Sequence, residues 1–136
     1  MYGATIQHTT PEDTLPKLLP EDKLFIQKVT GTFLYYARAV DSTMLMTRNA
    51  IASKQAAPME ETMKKTMQFL DYAASRPDAI LTCNASSMVL NEHSDASYLS
   101  KPKAKSRAGG HFFLLNNEKD PRGNGAVLNI ATILKM

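Results

Sequence analysis

Asp95 follows His93 by two positions, and beyond it Lys101, Lys103, Lys105 and Arg107 recur at every second residue. A carboxylate is a hard oxygen ligand of the kind Mg2+ takes, so Asp95 is a candidate metal-binding catalytic acid. Cations spaced by two on an extended chain point the same way and can track a phosphate backbone. Each feature has an ordinary alternative. A single Asp on a polar strand face is a solvated residue or a turn former. Basic loops are mostly just hydrated. A His two residues from an Asp does not make a metal site, and His8, His93 and His111 are scattered in sequence. The chain has no P-loop, no metal-finger cysteine spacing and no serine nucleophile motif.

These residues need strands to aim them. If "MVLNEHSDASY" is a strand, Asn91, His93, Asp95 and Ser97 share one face. Leu90, Glu92, Ser94, Ala96 and Tyr98 share the other. A carboxylate at Glu92 is costly if that second face packs inward. The short apolar run "AILTC", then "GGHFFLL" and "GAVLNIATIL", also read as β, with "NASS" and "NNEKDPRGNG" as turn and loop.

Helices come earlier. Residues 1–20 hold Pro11, Pro16 and Pro20 and read as an extended leader. From Glu21, the spacing of Ile26, Val29, Phe33, Ala37 and Val40 predicts an apolar helical stripe. Gly31 inside it costs about 1 kcal/mol relative to Ala and suggests close approach of a neighbouring helix. Asp41 or Ser42 can cap a second helix, unless the first two are continuous. Pro58 starts a third. Its inward stripe is Met59, Met63, Met67, Leu70 and Ala74. "SRPDA" ends it. The expectation is an α+β chain: an N-terminal segment of about three helices over 21–76, then a small antiparallel sheet over 77–136.

Bulk properties exclude little. The 136 residues carry a formal charge of only +3, too little to argue nucleic-acid binding without local clustering. One cysteine, Cys83, cannot form an internal disulfide and suits a reducing, intracellular setting. No apolar run is long enough for a membrane span, and the first residues lack a signal-peptide pattern.

Taken in order, "VTGTFLYYARAVDSTM", "QFLDYAASRPDAILT", "HSDASYLS" and "SRAGGHFF" resemble the C-terminal part of a copia-type retrotransposon polyprotein. The resemblance spans about residues 3–135 in unbroken order. In that family a helical thumb or connection region ends the reverse transcriptase and a ribonuclease H domain follows. The resemblance implies that "HSDAS", "SRAGGHFF" and "GAVLNIATI" correspond to the first three strands of the ribonuclease H fold. Asp95 then falls at its first catalytic carboxylate, near the centre of the sheet. The implied chemistry is hydrolysis of the RNA strand of an RNA–DNA hybrid by two Mg2+ held among several acidic residues.

The departures matter equally. The family continues into a helix with a catalytic Glu in a stretch like SSAAEAE, and this chain ends at "NIATILKM". The polymerase aspartates are absent too. Asn91 and Glu92 stand where the family strand is usually apolar, and Lys101 where it is commonly acidic. The expectation is a truncated retroelement fragment without turnover of its own, with Asp95 as the vestige of an incomplete Mg2+ site. The alternatives are a nucleic-acid-binding remnant using Lys101, Lys103, Lys105 and Arg107, a nuclease completed by a partner chain, or a module that associates through an open sheet edge.

Overall fold

The computed structural model describes residues 18–101, 105–116 and 124–134, with the backbone alone at 98–101 and 105. Most of the proline-rich leader and Lys103 therefore lie outside the described residues. Helices α1 (Pro20–Ala39), α2 (Leu45–Lys54) and α3 (Glu60–Ser75) precede strands β1 (Val89–Lys101), β2 (Lys105–Leu115) and β3 (Ala126–Leu134). This is the α+β order that the two periodicities predict.

Helix α1 opens on Pro20, whose fixed φ and missing N–H suit a first helical position. Glu21 and Asp22 in the first turn and Arg38 in the last complement the helix dipole. Its stripe is as predicted: Ile26, Val29 and Ala37 are buried and Phe33 is partly so. The helix stops at Val40. The Asp41 carboxylate then accepts from the Thr43 amide at 3.0 Å and starts a 3-10 turn, Ser42–Met44, which leads into α2. That local bond separates α1 from α2 and rules out one continuous helix.

Two helical expectations need correction. The buried face of α3 is Thr62, Thr66 and Phe69, while Met67 is about half exposed. The methionine stripe is thus rotated to the flank, with Met63 and Leu70 packed at its side. Threonine can sit inside because its hydroxyl bonds back to its own helix: Thr66 Oγ1 donates to the Thr62 carbonyl at 2.8 Å. Thr30 does the same to Ile26 at 3.0 Å. Gly31 marks no close approach, because a Cβ there would meet nothing within 4 Å.

The main core lies among the helices. Ile26, Val29, Ala37, Met44, Leu45, Ile51 and Phe69 form it, and from the sheet Ala131 packs against it. The sheet is antiparallel in the order β1-β2-β3. Asp95 thus lies on an edge strand, not near the sheet's centre, because β2 pairs with both neighbours. "AILTC" forms no strand; residues 76–88 have no regular structure. That segment instead borders the start of β3, where the Gly125 amide donates to the Thr82 carbonyl at 2.7 Å. No helix among the described residues is long and apolar enough to cross a membrane.

Candidate functional site

The β1–β2 register sets His93 opposite His111, Asp95 opposite Gly109, and Ser97 opposite Arg107. Across β2, His111 is also opposite Asn129 and Gly109 opposite Ala131. Directly paired residues share a face of the sheet. His93, Asp95, Arg107, His111 and Asn129 therefore stand on one side.

Polar links show that this is the side toward the helices. Asn129 Nδ2 donates to the Arg38 carbonyl at 3.0 Å, ending α1 against β3. Asn49 Nδ2 donates to the Ala131 carbonyl at 2.6 Å from α2. Arg48 orients that Asn49 amide through its oxygen at 2.9 Å and donates to the Thr30 carbonyl at 2.8 Å. Burial first, and then the charge of Arg38, pull the Arg48 guanidinium below its ordinary pKa. Arg107 Nη1 reaches the Met46 carbonyl at 3.4 Å.

The helices lean on β3, with α2 reaching β2 at Arg107, and the described side chains of β1 are left largely exposed. An open cleft of about 340 Å³ results, walled by Ser42, Leu45 and Met46 and floored by His93, Asp95, Gly109, His111, Asn129 and Ala131. Gly109 keeps the floor low, since even a Cβ there would meet only the Ile130 carbonyl, at 3.7 Å. Asp95 is exposed, and its Oδ1 accepts from the Ala96 amide at 2.8 Å. Glu92 is exposed on the opposite face, so the cost of burying it does not arise.

The two imidazoles are held differently. Asn129, only 5% exposed, places its Oδ1 2.6 Å from His111 Nδ1. Phe113 supports both rings: His93 stacks on it with centroids 5.1 Å apart, and His111 lies tilted at 5.4 Å. His93 is otherwise exposed.

Lys101 and Lys105 are backbone partners at the end of the β1–β2 hairpin, where the chain reverses. Arg107 is nine-tenths buried beneath α2, and its Nε and Nη2 have no hydrogen-bond partner among the described residues. It is therefore not the open-surface cation that its spacing suggests. Sequence spacing missed the meeting of His93, His111 and Asn129. The signal that could have found it is the register of the two hairpins, since alternation gives faces and only pairing gives neighbours.

No group of three or more His, Cys, Asp or Glu side chains able to hold a metal ion occurs among the described residues. Compared with protein-family models, with curated proteins and with solved structures, the chain has no match.

Proposed function

We propose that the chain is a segment of a copia-type retroelement polyprotein, a helical connection region running into the first three strands of a ribonuclease H sheet. We further propose that it turns over no hybrid by itself. One observation supports this reading above the others. Three helices are followed, in chain order, by an antiparallel β1-β2-β3 sheet, and Asp95 on β1 faces the helix-side cleft.

A two-metal nuclease holds both ions between several hard oxygen ligands. Among the described residues lining the cleft Asp95 is the sole carboxylate, and the other strong donors are imidazole nitrogens. This donor set does not fit a pair of Mg2+ ions, so no hydrolytic step is drawn through them. The prediction is that the purified chain leaves an RNA–DNA hybrid intact in Mg2+. Metal-dependent cleavage that disappears on Asp95→Asn would overturn it. Co-expression with a chain carrying further acidic residues tests the alternative of a nuclease completed by a partner.

A second reading, a nucleic-acid-binding remnant inside the cell, draws on the hairpin end, where Lys101 and Lys105 are partners and Lys103 lies between them in sequence. Each phosphate contact contributes about 0.9 to the slope of log affinity against log salt. Replacing the three lysines by Ser should then flatten that slope for hybrid binding, while Arg107→Met leaves it unchanged.

A further inference from the structure

The residues at the cleft floor fix which nitrogen of His111 is free. Asn129 Nδ2 is committed to the Arg38 carbonyl at 3.0 Å, so the oxygen is the end of the amide turned to His111. An amide oxygen only accepts. His111 Nδ1, 2.6 Å away, must therefore carry a proton, and in the neutral ring Nε2 is left with its lone pair. A ring N–H anchored on a fixed acceptor, with the other nitrogen bare, is how proteins orient an imidazole to bind a metal.

His93 supplies the second imidazole. It is the direct cross-strand partner of His111. Directly opposed residues have Cβ atoms about 4.5–5.5 Å apart. Both rings rest on Phe113, and both line the open cleft. Gly109 puts no side chain beside them, and Asp95 lies one pleat further along β1 on the same face.

We propose that His93 and His111 form a binding site for a borderline transition-metal ion of the Zn2+, Ni2+ or Cu2+ class. His111 binds through Nε2 and His93 through a ring nitrogen, and solvent or an external donor completes the shell. Imidazole ligands select these ions over Mg2+, which prefers oxygen. With two protein ligands the site stays open to an exogenous group. The proposal does not depend on the retroelement reading, since it uses neither the order of elements nor the Asp95 carboxylate as a ligand.

The test is titration of the metal-free full chain with Zn2+ and Cu2+ in a Cys83→Ser background, because the exposed thiol of Cys83 can bind the same ions. Calorimetry should show one saturable equivalent that excess Mg2+ does not displace. Electron paramagnetic resonance of the Cu2+ adduct should show coupling to two imidazole nitrogens. His93→Ala should remove one of them and weaken binding at least tenfold; His93 is exposed, so this variant should fold. Asn129→Ala, touching no metal, should weaken binding about 10- to 100-fold if circular dichroism shows it folded. His8→Ala, at the remaining histidine, should change nothing. Absence of saturable binding, or binding unaltered in His93→Ala, overturns the proposal. So does a Cu2+ spectrum without two imidazoles.

Discussion

Arg107 is expensive to hold where it is. The residue is only 9% exposed; Nη1 makes one long contact of 3.4 Å, and Nε and Nη2 have no partner among the described residues. Burying unpaired donors of a charged group costs several kcal/mol unless something meets them. Arg107→Met keeps the apolar stem that packs beneath α2 and removes the desolvated head. It should therefore stabilise the chain by about 1–3 kcal/mol, read as a higher urea midpoint at unchanged slope. A lower midpoint would mean that the guanidinium is satisfied after all. Legibility at this scale was partial. Spacing alone put Arg107 and the lysines in one set, because alternation along a strand says which residues share a side. It does not say which side a helix will cover. Asp95 and His93 were visible as a pair for the same reason, while His111 and Asn129 joined them only through pairing register.

At the scale of elements, glycine separates close approach from mere occurrence. Gly125 immediately precedes β3 where residues 81 and 82 pass over it, and a Cβ there would lie 2.7 Å from Leu81 Cδ1 and 2.8 Å from the Thr82 carbonyl oxygen. The Leu side chain can move, but the backbone oxygen is tied to the Gly125 amide. Gly125→Ala should cost about 1–3 kcal/mol by overpacking. Gly31 is the internal control. It lies in the middle of α1 with nothing within 4 Å of its Cβ position, so Gly31→Ala should raise stability by about 0.5–1 kcal/mol. Thermal melts of the two variants should move in opposite directions; a shared direction would contradict the packing around one of them. Helix α1 was readable from its apolar stripe and its acidic start at Glu21 and Asp22, while Pro20, read as part of the leader, is its first residue because its fixed φ and missing N–H suit that position. The α3 face was misread by rank of hydrophobicity, which cannot see that Thr66 becomes cheap to bury when its hydroxyl donates to the Thr62 carbonyl, and Thr62 when its hydroxyl accepts from the Met59 amide. "AILTC" has the composition of a strand, but β2 already has a partner on each side, and the segment meets Gly125, just ahead of β3, through the Thr82 carbonyl rather than through a ladder.

In the whole molecule, the balance of covered and uncovered apolar surface decides behaviour. The helices bury their own core and reach the sheet mainly through Ala131 and a few polar links. The side of the sheet away from them keeps Leu90 62% and Leu128 41% exposed, with Phe112, Leu114 and Ile130 only partly covered. Ile80 is 85% exposed, and Val127, the extra residue at the β2–β3 irregularity, is 56% exposed. Each large apolar side chain left wet forgoes roughly 1.5–3 kcal/mol. A few of them match the whole stability of a typical domain, about 5–15 kcal/mol. Among the described strands β1 is also an edge strand beside this apolar side, and an edge strand is a template for pairing between chains. The isolated chain should thus melt at low temperature, and light scattering should rise with the transition in a concentration-dependent way. Leu90→Lys on the edge strand separates the causes. It places a charge where Leu90 contributes little burial, so it should suppress the scattering while leaving the melting temperature of dilute protein nearly unchanged. If the unaltered chain instead gives a reversible, monomeric, two-state transition above about 65 °C, beyond the usual mesophilic range, the helical core alone supplies the stability and the open side of the sheet carries no penalty.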